Sequence, residues 1–162
     1  MNGPKEGDML SGFRLQSAAG ETLGPQDYKE KKNLVVVFFD PRCAPCTDFL
    51  SDMAARYEDY TEMDAEVLAV GGGSLDEVRE VAASRGLPYP VLADPDGHVR
   101  SRYSGVVPAV FVADRFGEIR LVRAEDGEHL PDQTAILDRL ALIELECPEC
   151  GVPTWGAASN EE

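Results

Sequence analysis

The sequence is poor in several things that common functions require. Only four residues are lysine (Lys5, Lys29, Lys31 and Lys32) and two are histidine; lysine and arginine together number 15 against 30 aspartates and glutamates, for a formal net charge of −15. Contacts to phosphate backbones and anionic lipid depend on clustered Lys and Arg, so nucleic acid and membrane surfaces are not expected partners. Long hydrophobic runs are also missing. The longest, Leu34 to Phe39, falls far short of the ~20 apolar residues that a spanning helix needs. Met1 to Leu10 lacks a basic start followed by an apolar stretch, so it does not read as a secretory signal. The expected location is cytoplasmic. Phosphate-loop chemistry has no support either, because Gly71-Gly72-Gly73 lacks both the Gly-x-Gly-x-x-Gly spacing and a following Lys. It reads as a plain turn.

What is present is an ordinary globular balance. In 162 residues 43% are hydrophobic, enough for one core of normal size. Residues 1–145 are expected to form one domain, with 146–162 as a C-terminal tail. Four cysteines fall into two Cys-x-x-Cys pairs, Cys43/Cys46 and Cys147/Cys150. In a cytoplasmic protein stable disulfides are rare, so such pairs are either redox-active or bound to metal.

The pattern along the chain gives the fold class. Gly12 to Leu15 and the segment through Leu23 read as a short hairpin turning at Gly20-Glu21. Leu34 to Phe39 is a continuous β-branched and aromatic run, which suits a central strand buried on both faces. Phe49, Leu50, Met53, Tyr57 and Tyr60 then recur at helical spacing. Val67 to Val70 predicts a strand and Ser74 onward a helix opened by a Ser74/Glu77 capping box. Pro90 to Ala93 predicts a short extended piece, followed by a helical stretch through Tyr103. Val110 to Ala113 and Glu118 to Val122 predict an antiparallel hairpin, and Asp132 to Leu145 a last helix with Ile136, Leu137, Leu140 and Ile143 inward. The expected architecture is α/β: a central mixed β-sheet flanked by helices on both faces, with an N-terminal β-hairpin extension.

The first cysteine pair sits where strand becomes helix, in Asp40-Pro41-Arg42-Cys43-Ala44-Pro45-Cys46. A helix N-terminus carries unpaired N–H groups and partial positive charge, so a cysteine there is stabilised as thiolate, the form that attacks disulfides and peroxides. Pro45 fits the first turn, where its missing N–H costs little. Arg42 is expected to add a cation beside the sulfur. Two intervening residues bring Cys43 and Cys46 within disulfide reach, so an attack by Cys43 can be resolved by Cys46.

Phe38 through Cys46 resembles the active-site segment of thioredoxin-like proteins. Gly7-Asp8, Phe13-Arg14-Leu15, Gly20 and Asp27-Tyr28 resemble the N-terminal extension of the redoxin and peroxiredoxin branch, and Leu87 through Gly97 its central segment. Val107-Pro108-Ala109 through Ile119 resembles the strand pair that opens with a cis-proline. The similarity covers roughly residues 6 to 144. It implies a thioredoxin-like fold, a cis Pro108 packed against Cys43, and a Val107 backbone able to pair with an extended substrate. The chain departs from the pattern at Arg42, where the family usually has Trp, and at Ser11, where it usually has Pro.

The resemblance implies a thiol–disulfide oxidoreductase cycling Cys43 and Cys46, without a cofactor. Its partners would be a protein disulfide or peroxide and a reductant, either a protein or a low-molecular-weight thiol. The alternative is a peroxiredoxin-type, antioxidant peroxidase with Cys46 peroxidatic. Against it, Cys43 replaces the family's Thr, the expected proline spacing ahead of it is missing, and the positions just before Val110 lack the family's Arg. The tail, Cys147-Pro148-Glu149-Cys150-Gly151 with Trp155 beyond, resembles a resolving-cysteine tail and equally one knuckle of a zinc ribbon. A second redox pair, a zinc-stapled interaction domain and an inert tail all stay open here. His98 and His129 lie in polar, turn-like stretches and read as surface residues.

Overall fold

The structure is a computed structural model and describes residues 3–124 and 131–146. Its centre is β3 (Asn33–Phe39), in which every residue is buried. β3 pairs in parallel with β4 (Ala65–Gly71) and antiparallel with β6 (Ala109–Ala113). β5 (Val91–Ala93) adds in parallel beyond β4, and β7 (Ile119–Arg123) antiparallel beyond β6, giving the order β5-β4-β3-β6-β7. The expected mixed sheet is present. The N-terminal hairpin is present too, as β1 (Leu15–Gln16) paired antiparallel with β2 (Thr22–Leu23).

Successive strand residues point to opposite faces, and β3 divides its apolar run accordingly. Val35, Val37 and Phe39 join one core with α1 (Ala44–Ala55), α2 (Tyr57–Glu62), α3 (Leu75–Arg85) and α5 (Gln133–Leu145). Leu34, Val36 and Phe38 join a second core with Phe13, Phe111, and Val99 and Tyr103 of α4 (His98–Tyr103). In that second core the Phe38 and Tyr103 rings lie 5.0 Å apart, and Tyr103 meets Phe111 edge-on at 5.1 Å. The Tyr103 hydroxyl donates to the Ser11 carbonyl at 2.5 Å, tying the N-terminal segment over this face.

Local signals act where the sequence places them. Ser74 Oγ accepts from Glu77 N at 3.1 Å and Glu77 Oε1 accepts from Ser74 N at 2.9 Å, completing the capping box of α3. Gly71 ends β4 against Phe39, and a Cβ there would lie 2.6 Å from Phe39 Cζ, so the triplet is a turn shaped by packing. The periodic run from Phe49 to Tyr60 is one amphipathic pattern, but the structure breaks it at Arg56 (φ −114°, ψ 22°). The break lets neighbouring tyrosines reach different elements. Tyr57 donates to Glu66 at 2.7 Å and Tyr60 to Gln133 at 2.8 Å.

The two ends of β3 lead to different places. Its C-terminal end runs into Asp40 and the cysteine loop. At its N-terminal end, Asn33 Nδ2 donates to Glu144 Oε2 at 2.7 Å, which holds the end of α5 there. Arg115 joins this pole through ion pairs to Asp64 at 3.1 Å and Glu144 at 2.7 Å. Among the described residues no helix is long and apolar enough to cross a membrane.

Candidate active site

The cysteine loop is held by its own backbone. Asp40 Oδ1 accepts from Arg42 N and Asp40 O accepts from Cys43 N, each at 2.9 Å, a turn that the Asp-Pro pair at the strand end favours. Cys43 is then the N-cap of α1, with extended backbone (φ −96°, ψ 110°), and Pro45 occupies the first turn. The Cys43 carbonyl accepts from Thr47 N at 3.1 Å, the first hydrogen bond of the helix. Cys43 and Cys46 are brought together on one turn, both as free thiols.

The two sulfurs sit in unlike surroundings. Cys43 is partly exposed, and its Sγ accepts from the Cys46 backbone N–H at 3.4 Å. That contact strengthens when the sulfur carries negative charge. Cys46 is 0% exposed and packs in the core with Val37, Phe39 and Phe49. Burial is the main reason that its thiol is pushed up from 9.0 to about 12. A backbone hydrogen bond from Asp40 opposes this, while the Cys43 sulfur and the Asp40 charge add to it.

Arg42 precedes Cys43 directly, and its charge faces two carboxylates. Its side chain is 74% exposed, and its guanidinium stands 3.7 Å from Asp40 and 3.8 Å from Glu77. Both carboxylates compete with the sulfur for the cation, and exposure screens whatever field remains. Glu77 reads from the sequence only as a capping residue, so its second contact has no local signal.

Val107 and Pro108 approach from the start of β6. The Val107–Pro108 peptide is cis, Pro108 is buried, and Val107 is half-buried against both cores. A polar cleft of about 370 Å³ opens beside the loop, lined by Asp40, Arg42, Gly72, Asp96, Arg100 and Val107. Its walls come from four separate loops, which is why no single stretch of sequence announces it. A further contact escapes sequence reading: Arg85 donates to Thr47 Oγ1 at 3.0 Å and to Asp48 Oδ1 at 2.8 Å. It pins the end of α3 to the first turns of α1.

The remaining candidates divide by location. His98 is the exposed first residue of α4. His129, Cys147 and Cys150 lie outside the described residues. Their readings as ligands, or as a second redox pair, have no structural description. Among the described residues no group of three or more His, Cys, Asp or Glu could hold a metal ion. The point from which residues 147–162 depart is described. Glu146 caps α5 at the pole of Asn33, while Cys43 lies beyond the other end of β3. A seven-residue strand alone separates those poles by about 20 Å.

Comparisons with known proteins agree with this arrangement. A peroxiredoxin homologue of Mycobacterium tuberculosis is 26% identical, over 70% of this chain and 80% of that one. The thiol-disulfide oxidoreductase ResA of Halalkalibacterium halodurans is 25% identical, over 71% of this chain and 66% of its own. The crystal structure of peroxidoxin BcpB from Mycobacterium tuberculosis superposes with a TM-score of 0.74 at 20% identity, covering 87% of this chain and 97% of that one. It shows that the fold is thioredoxin-like. The family model described as AhpC/TSA matches residues 7–122, which include β1 to β6, most of β7 and both cysteines of the loop, and the chain belongs to the AhpC/TSA family.

Proposed function

We propose that this family member is a thiol–disulfide oxidoreductase in which Cys43 attacks and Cys46 resolves. The observation that carries the reading is the asymmetry of the pair: one sulfur partly exposed at a helix N-cap with an N–H directed at it, the other fully buried and held protonated. In the reduced protein the Cys43 thiolate attacks one sulfur of a substrate disulfide. A mixed disulfide forms and the other substrate sulfur leaves as thiolate. Cys46 then gives its proton to that departing thiolate and attacks Cys43 Sγ. The bond to substrate breaks, the second substrate sulfur leaves, and the Cys43–Cys46 disulfide holds the two-electron oxidation. An external dithiol protein, or two equivalents of a low-molecular-weight thiol, reverses the cycle and leaves as its own disulfide.

The cleft beside Val107 is the candidate docking surface, since an extended substrate strand could lie there against exposed backbone. Its mixed lining of Asp40, Asp96, Arg42 and Arg100 favours polar segments over apolar ones. The test is reduction of a protein disulfide such as insulin's by the pre-reduced protein. Cys43→Ser is expected to abolish it. Cys46→Ala is expected to accumulate a mixed disulfide visible by mass. Full activity of the Cys43→Ser variant would overturn the assignment.

Peroxide reduction is the second reading, favoured by the family and by relatives named peroxiredoxin. It asks Cys46 to be a thiolate open to peroxide, and the buried, protonated Cys46 weighs against that role. The Cys43→Ser variant is therefore expected to consume peroxide no faster than free cysteine.

A further inference from the structure

At the pole away from the cysteine loop lies an apolar cleft of about 310 Å³ whose lining includes Met9, Leu10, Pro25 and Leu34, together with Lys29 and Lys32. Both lysines are exposed, and Lys31 lies between them in sequence. Three of the four lysines of a chain with net charge −15 thus cluster at one spot. Met9 at the cleft is 53% exposed, and Phe116, on the turn beside the lining residue Gly117, is 52% exposed. An apolar hollow with a basic edge on a strongly acidic protein is a surface shaped for an occupant that is apolar and acidic.

The described chain ends next to this hollow. Asp114 belongs to the cleft lining. Arg120 Nη1 lies 3.3 Å from Asp114 Oδ2, and Arg120 Nη2 donates to Glu146 Oε2. One guanidinium therefore separates the cleft wall from the residue at which 147–162 begin. Those residues contain Val152, Pro153 and Trp155, carry Glu149, Glu161 and Glu162, and have no lysine or arginine. Trp155 comes nine residues after Glu146, a reach of about 30 Å when extended. The span to be crossed is a fraction of that.

We propose that residues 147–162 fold back into this cleft, with Trp155 entering the apolar hollow and the tail glutamates facing Lys29 and Lys32. The consequence for chemistry is that docking holds Cys147 and Cys150 at the pole remote from Cys43. Even undocked, Cys150 is only four residues past Glu146, a reach of about 14 Å against the roughly 20 Å length of β3. The tail pair is thereby barred from closing a disulfide with Cys43 or Cys46 of the same chain. The proposal stands apart from the assignment of Cys43 as attacking sulfur.

Trp155 is the only tryptophan in the sequence, so its fluorescence reports the tail alone. In the full chain its emission is expected at shorter wavelength than in the synthetic peptide 147–162, with acrylamide quenching several-fold weaker. The double variant Lys29→Glu/Lys32→Glu, and separately Met9→Asp, alter exposed side chains. Each is expected to restore peptide-like emission and quenching while the far-ultraviolet circular dichroism stays unchanged. Peptide-like quenching in the unaltered chain, or protection that survives both variants, would overturn the proposal. So would protection that appears only as protein concentration rises together with a dimer mass, which would give the cleft to a second copy.

Discussion

Replacing Cys43 by serine isolates the chemistry of the buried sulfur. In the intact protein the Cys46 thiol is raised from 9.0 to about 12, which lowers its thiolate fraction at neutral pH by about a thousand-fold relative to an ordinary thiol. Cys43→Ser removes two of the raising influences, the hydrogen bond and the charge of the Cys43 sulfur, and leaves the largest, burial. The thiol of Cys46 should therefore fall but stay above its ordinary value, and the 0% exposed sulfur still has to be uncovered before it reacts. The comparison is Cys43 in the Cys46→Ala variant, where the backbone N–H of residue 46 still points at the sulfur. Alkylation by iodoacetamide near neutral pH, followed by mass, is expected to be at least about a hundred-fold slower for Cys46 than for Cys43. Guanidinium should bring the two rates together, which separates environment from intrinsic reactivity. Rates within about tenfold of each other in the folded variants would refute the account of an attacking and a resolving cysteine.

Three further perturbations follow from the structure. Arg42→Ala should leave the alkylation rate of Cys43 within about threefold, because an exposed guanidinium shared by Asp40 and Glu77 contributes little to the sulfur; a tenfold loss would place the cation on the thiolate after all. Arg115→Ala should cost about 1–2 kcal/mol in urea unfolding, a buried-pair loss discounted for partial exposure, since it removes both the Asp64 and Glu144 contacts; no change would mean that the pole is held by packing alone. All five tyrosines are raised, mainly by burial, with Tyr28 and Tyr103 at about 12 and Tyr57, Tyr60 and Tyr89 higher. Their neutral forms therefore stabilise the fold fully below pH 10, and this contribution is lost as pH rises through the folded values. Phenolate absorbance should appear together with unfolding, and any tyrosine titrating near 10 in the folded protein would contradict the packing described.

The features legible in the sequence are those whose cause is local. The apolar run Leu34 to Phe39 declares a strand covered on both sides, and Ser74 with Glu77 declares a helix start, because both are properties of neighbouring residues. The loop from Asp40 to Cys46 is legible for the same reason, and the Val107–Pro108 peptide followed from family resemblance. What was not legible depends on residues distant in sequence. The break at Arg56 accompanies the contacts of Tyr57 and Tyr60 with Glu66 and Gln133, partners on other elements. Arg42 turns toward Glu77, 35 positions later. The difference between Cys43 and Cys46 is local only in part. Their order of action is legible, since Cys43 alone falls at the helix start, but the depth to which Cys46 is buried depends on the sheet under α1.

β3 also serves as a gauge for the protein. Its amides are bonded to β4 on one side and β6 on the other, and none of its residues is exposed, so they can exchange hydrogen with solvent only when the whole domain opens. The loop that carries Cys43 is attached directly to the last of these residues. Exchange in β3 thus gives the free energy of global opening, and exchange at Arg42 and Cys43 measured beside it gives that of the loop alone. The difference between the two, taken before and after oxidation of the pair, would read how far a change at two sulfurs travels into the sheet that supports them.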